Sequence, residues 1–217
     1  MTEQLWRDVD TYFGGLLVGP DTALDAAREA NTAAGLPAID VTPALGKLLG
    51  LLAGSIGARR ILEIGTLGGY STIWLARALP PDGRLITCEI DPTHAAVARE
   101  NLARAGLDGI VEVLEGPAAQ TLTSVAGPFD LVFIDADKPS ISEYFTHALR
   151  LSHPGTMIIV DNVVRRGSVI DPDSDDDAVR GTRRFAEMLA AEERVSATVI
   201  QTVGSKGHDG FALAVVG

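Results

Sequence analysis

Through the middle of the chain, short apolar runs alternate with longer stretches in which apolar residues recur at intervals of three and four. The short runs predict strands covered on both faces, and the longer stretches predict helices with one apolar side. The expected strands are Arg60–Ile64, Leu85–Ile90, Ile110–Leu114, Leu131–Ile134 and Met157–Val160. Between them the expected helices are Tyr70–Leu79, Thr93–Ala105, Ala118–Val125 and Ser140–Leu151. Such alternation predicts a parallel sheet with crossover helices. Asp91-Pro92-Thr93 offers a side-chain cap and a first-turn proline to the second helix, and Gly106 offers its stop.

The two ends differ from the middle. Leu5–Leu17, Thr22–Ala34 and Thr42–Ile56 have helical spacing, with Leu36-Pro37 separating the second from the third. Trp6, Tyr12 and Phe13 in the first are either ordinary core or a face for a second subunit. A helical stretch, Ala178–Glu193, precedes two strand-like runs, Val195–Val203 and Phe211–Val216, which predict a hairpin at the sheet edge. The connecting residues Gly204–Gly210 read as a long polar loop.

A length of 217 residues with 46% hydrophobic content fits one domain, residues 1–217. Residues 1–57 would lie as helices over the site, and 58–217 would form the core. The net charge of −11 argues against nucleic acid as a partner. Acidic residues interrupt the first twenty positions, so no secretory leader is expected and the cytoplasm is the expected location. The apolar stretch Leu48–Gly57 stops at Arg59 and Arg60, short of the roughly 18 residues that cross a bilayer. Cys88, the only cysteine, falls inside a strand and reads as a small core residue. The histidines lack zinc spacing, and His208 alone is kept as a possible border of a substrate pocket. Asp171–Asp177 resembles a calcium loop, but the sixth and twelfth places hold Asp176 and Thr182 instead of glycine and glutamate. A solvated loop that caps the next helix is the simpler reading.

The first strand ends in Gly65-Thr66-Leu67-Gly68-Gly69. Glycines there let backbone amides approach a ligand closely. A dinucleotide site wants glycines at the first, third and sixth places, whereas Leu67 and Tyr70 hold the third and sixth here. Glu63 would repel a diphosphate and favour a cationic ligand such as the sulfonium and amino groups of S-adenosylmethionine. Glu89, at the end of the next strand, is placed to hold a ribose.

Asp135-Ala136-Asp137-Lys138 and Asp161-Asn162 follow two other strands, at the rim where open α/β sheets bind ligands. Asp135, Asp161 and Asn162 together form an oxygen set suited to Mg²⁺, with Mn²⁺ or Ca²⁺ also accommodated. Beside such a cation, like charge and desolvation both disfavour the ammonium form of Lys138, which would suit it to act as a general base.

These segments resemble a known family. Leu62-Glu63-Ile64-Gly65-Thr66 with Gly69-Tyr70-Ser71, Phe133-Ile134-Asp135-Ala136-Asp137-Lys138, Val160-Asp161-Asn162-Val163 and Asp209-Gly210-Phe211 are similar to motifs of the cation-dependent O-methyltransferases. That group includes the catechol and caffeoyl-CoA enzymes, and the resemblance runs from about Leu36 to the C-terminus. It implies an α/β, Rossmann-like class I S-adenosylmethionine-dependent fold: a seven-stranded, mostly parallel sheet with an antiparallel last strand and helices on both faces. It implies that Glu63, Gly65, Thr66, Tyr70 and Ser71 hold the methionine part of the cofactor and Glu89 its ribose, with Val41, Ala118 and Asp137 as further contacts. Asp135, Asp161 and Asn162 would bind the metal, with Asp135 and Lys138 as the catalytic pair and Lys138 as the base. The expected acceptor is a small aromatic diol of catechol or hydroxycinnamoyl type, and the expected assembly is a homodimer. Pro139-Ser140-Ile141-Ser142 departs from relatives that carry a tyrosine soon after the lysine. The competing readings are an NAD-dependent oxidoreductase, disfavoured by Leu67 and Glu63, and a cofactor-binding protein without catalysis, for which the metal rim would be superfluous.

Overall fold

A computed structural model describes residues 2–217. The N-terminal part is helical: α1 (Glu3–Phe13) running into a π-helical turn (Gly14–Val18), then α2 (Thr22–Ala33) and α3 (Pro43–Ser55). Next come β1 (Arg60–Ile64), α4 (Tyr70–Arg77), β2 (Arg84–Glu89), α5 (Pro92–Arg104), β3 (Val111–Glu115) and α6 (Ala118–Thr121). The chain continues through β4 (Phe129–Ile134), α7 (Ile141–Arg150), β5 (Ser152–Asp161), α8 (Asp177–Ala191), β6 (Val195–Gly204) and β7 (Gly207–Val216). The seven strands form one sheet in the order β3-β2-β1-β4-β5-β7-β6, parallel except for β7, which runs against both its neighbours.

Alternation along the strands divides the core in two. Leu62, Ile64, Val132 and Ile134 face a cluster with Phe145 of α7 and Phe185 of α8. Ile61, Leu131, Phe133 and Ile159 face a second cluster with Leu49 of α3, Ile73 of α4 and Leu102 of α5. Both faces are therefore covered, which is why these strands read as continuous apolar runs. Asp91 caps α5 by accepting from Thr93 N at 2.7 Å and His94 N at 3.3 Å, and Gly106 follows that helix at φ 71°. Asp176 does the same for α8, accepting from Ala178 N at 2.7 Å.

Two expectations need correction, the Gly204–Gly210 loop and the length of α6, and the open alternative for helix α1 is decided against core. Gly204–Gly210 is not a long loop: Gly204 pairs with Gly207 and Val203 with His208, so Ser205 and Lys206 alone make the turn. His208 consequently sits in the ladder, 3.0 Å from Gln201 Oε1. Helix α1 contributes nothing to the core, and Tyr12 and Phe13 are 63% and 52% exposed. Helix α6 stops at Thr121, and a short 3₁₀ turn, Leu122–Ser124, replaces its expected second half. Among the described residues, no helix is long and apolar enough to cross a membrane.

One packing contact ties the fold to the site. Gly181 of α8 lies so close to the 3₁₀ turn Lys138–Ser140 that an added Cβ would overlap the Lys138 carbonyl and Pro139 Cα, both backbone atoms. Gly181→Ala should therefore destabilise the protein by roughly 1–3 kcal/mol, despite the better helix propensity of alanine, because the overlap cannot be relieved by a side-chain rotation. Thermal unfolding of the variant checks this; an unchanged or raised Tm would contradict the close contact.

Candidate active site

The register of the sheet assembles the site. Ile64 pairs with Cys88 on one side and Ile134 on the other, and Ile134 pairs with Val160. The next residues along each strand, Glu89, Gly65, Asp135 and Asp161, consequently fall in one row at the carboxyl rim. This row spans the point between β1 and β4 where the strand order reverses, the place where open α/β sheets leave a crevice. Gly65 holds φ 99°, and any side chain there would strike the Asp135 carbonyl. Glu89 ties the glycine turn down, accepting from Thr66 N at 3.2 Å and Leu67 N at 2.7 Å, and it also accepts from Asp91 N at 3.0 Å.

A cavity of about 700 Å³ opens over this row. Val41, Gly65, Thr66, Tyr70, Ser71, Glu89 and Ala118 line it at one end. Asp135, Asp137, Lys138 and Asn162 line it at the other end. Glu63 is the exception among the expected contacts, because its side chain does not reach the cavity. It is fully buried one layer behind, pointing toward α4, and accepts from Ser71 Oγ at 2.7 Å, Thr72 Oγ1 at 2.5 Å and Thr87 Oγ1 at 2.8 Å. Burial pushes its carboxyl up to about 7 against these three donors. Glu63 thus orients Ser71, which does line the cavity.

At the rim, Lys138 is 8% exposed and donates from Nζ to Asp135 Oδ1 at 3.1 Å. Asp161 is 6% exposed; burial and then the like charge of Asp135 raise its affinity for a proton. Asn162 holds φ 57°, a left-handed conformation that asparagine tolerates better than most residues. Two carboxylates and an amide oxygen are the hard oxygen donors that suit a hard cation. Among the described residues no three His, Cys, Asp or Glu side chains converge, so the amide and added water or acceptor oxygens would have to complete such a site.

The sequence reading missed several wall residues. Tyr144, six positions after Lys138, donates to Asp137 Oδ1 at 2.5 Å, and burial followed by that carboxylate raises its hydroxyl above the ordinary tyrosine range. A neighbouring cavity of about 260 Å³ shares Ile39 and Asn162 with the first and is walled by Leu45, Leu48, Asp161 and Phe211. Lys206, on the tip of the β6–β7 turn, also lines it and donates to the Asp40 carbonyl, with burial lowering its affinity for a proton. Apart from Tyr144 on α7, the missed residues come from α3, the segment before it and the terminal hairpin, and no local spacing marks them.

Known proteins show the same architecture. The family model described as O-methyltransferase matches residues 20–215. A catechol O-methyltransferase of Niastella koreensis is 54% identical over the full length of both chains. One from Mycobacterium tuberculosis is 55% identical over 96% of this chain and 95% of its own. Among solved structures, an O-methyltransferase from Bacillus cereus in complex with SAH superposes with a TM-score of 0.98 at 54% identity, covering 100% of both chains. TomG from Streptomyces achromogenes, in complex with SAM, superposes at 0.96 with 54% identity over 100% of this chain and 99% of its own. By the family match, by full-length identity and by the sheet, the chain belongs to the O-methyltransferase family and is an S-adenosylmethionine-dependent enzyme.

Proposed function

We propose that this enzyme is divalent-cation-dependent and moves the methyl of S-adenosylmethionine to one hydroxyl of a catechol-type small molecule. The observation that carries this reading is that Asp135, Lys138 and Asn162 line the main cavity, while Asp161 and Asn162 line the smaller pocket beside it with Leu45, Leu48 and Phe211. The names of the two catechol O-methyltransferases support the acceptor class.

In this reading Asp135, Asp161 and Asn162 hold the cation, with Mg²⁺ favoured by their hard oxygen donors over softer ions. When bound, the cation makes a neighbouring hydroxyl more acidic, and the sulfonium supplies the methyl. Gly65, Thr66, Tyr70, Ser71 and Val41 position the methionine part of the cofactor, with Asp137 and Ala118 as further walls and Glu89 taking the ribose hydroxyls. Asp135 orients Lys138, and the neutral amine form of Nζ takes the acceptor proton, becoming the ammonium that Asp135 then holds. Leu45, Leu48 and Phe211 clasp the ring and exclude water. Holding the acceptor oxygen in line with the methyl supplies much of the rate gain, since few covalent steps remain for the protein.

Asp161→Ala should lower kcat/KM by at least about a hundredfold, while S-adenosylmethionine affinity by calorimetry changes by less than about threefold, because Asp161 lies at the acceptor end. Equal losses in both would place Asp161 in the cofactor site.

Glu63 adds a pH dependence. With its carboxyl near 7 instead of the ordinary 4.5, the folded apoprotein keeps a proton that the unfolded chain releases between those values. That contribution to stability is fully present below about pH 4.5 and is lost as pH rises through about 7. A cationic ligand in front of Ser71 favours the ionised form. Affinity for S-adenosylmethionine should therefore climb up to about tenfold from pH 6 to 8 in the wild type and stay flatter in Glu63→Gln. The same slope in both proteins, measured by calorimetry, would assign the titration to another group.

A further inference from the structure

Arg165 stands out among the partly buried cations. It lies three residues beyond Asn162 on the same loop and lines the main cavity with Lys138, Tyr144 and Asn162. Its Nε is buried and has no hydrogen-bond partner. Among the described residues, the arginine ion pairs belong to Arg7, Arg59, Arg77, Arg99, Arg180 and Arg194, and none to Arg165. A guanidinium nitrogen withdrawn from water without an acceptor is costly, and the partly buried side chain leaves its outer nitrogens free to meet a ligand in the cavity.

The backbone shows that the placement is enforced. Arg165 and Arg166 hold φ 55° and 56°, in the left-handed region that non-glycine residues seldom enter. Asp209 holds this turn in place: its Oδ1 accepts from Val164 N and Arg165 N, each at 3.1 Å, and from Gly210 N at 3.0 Å. The loop that begins with Asp161 and Asn162 is therefore locked so that its next side chain along the cavity wall is an unpaired cation. In a chain of net charge −11, that local positive charge has a specific use.

We infer that Arg165 selects the acceptor, pairing with a carboxylate on an aromatic diol whose hydroxyls lie against Asp135 and Asn162. The inference rests on the reaction proposed above and narrows its substrates to carboxylated catechols. A planar guanidinium suits a carboxylate because it can donate two parallel hydrogen bonds to it.

The test compares 3,4-dihydroxybenzoate with its methyl ester, which keeps the diol and removes the charge. With Mg²⁺ present, the wild type should favour the acid in kcat/KM by about tenfold or more, the size expected of a charge-assisted contact. Arg165→Asn keeps a residue that tolerates positive φ, and should lose at least about tenfold more on the acid than on the ester, chiefly through KM. Arg165→Lys, which keeps the charge but not the fork, should fall between the two. Equal effects of Arg165→Asn on acid and ester would overturn the assignment, as would a wild type that favours the ester. Calorimetry separates this inference from the reaction it rests on. If the wild type methylates neither compound, the proposed reaction fails, and the affinity for 3,4-dihydroxybenzoate with S-adenosylhomocysteine and Mg²⁺ present decides Arg165. A drop of about tenfold or more in Arg165→Asn upholds it, and an unchanged affinity refutes it. A comparable loss of affinity for S-adenosylhomocysteine alone would also refute it, because Arg165 would then be reading the carboxylate of the cofactor.

Discussion

The alignment of strand ends in β2, β1, β4 and β5 is the constraint on which the site depends. Parallel pairing without a slip between Ile64, Ile134 and Val160 puts Gly65, Asp135 and Asp161 side by side. A displacement of one residue in any of these strands would turn its acid into the sheet face and its apolar neighbours into the cavity. The two apolar clusters hold the register, since each strand presents one set of side chains to α7 and α8 and the other to α3, α4 and α5. Core packing therefore fixes the chemistry indirectly, by deciding which residue of each strand comes last.

That arrangement concentrates negative charge. Glu63, Glu89 and Asp161 are each buried at one rim, with Asp135 between them, and Lys138 forms the only ion pair with Asp135 among the described residues. The high proton affinities of Glu63 and Asp161 have burial as their largest cause, and the like charge of Asp135 adds to both. A sulfonium cofactor and a divalent cation are ligands whose charge would offset it. On the proposed reading, the apoprotein is electrostatically prepared for both before they arrive, which is the form of preorganisation that costs stability and favours binding.

Much of this was legible in the sequence because the decisive residues are local. A glycine turn after an apolar run, and acids directly after two others, identify the rim whatever the packing around them. Glu63 shows where locality fails: two residues before Gly65, it has the right type and spacing, yet strand alternation turns it toward Ser71, Thr72 and Thr87 instead of the cavity. The hairpin was legible but its turn was not, since Gly207 and His208 look like loop residues and are held in β7 by pairing with Gly204 and Val203. Tyr144, Lys206 and Arg165 were invisible for a different reason. They reach two neighbouring cavities from a helix, a hairpin tip and a left-handed loop, and only the assembled fold brings them near the rim.

The central claim is that the rim acids act through a divalent cation during methyl transfer. It is tested most directly by following labelled methyl from S-adenosylmethionine to a catechol with Mg²⁺, after EDTA treatment, and after Mg²⁺ is restored. The account predicts turnover that EDTA abolishes and added Mg²⁺ recovers, with cofactor binding retained throughout. Turnover that persists in metal-free protein would contradict it.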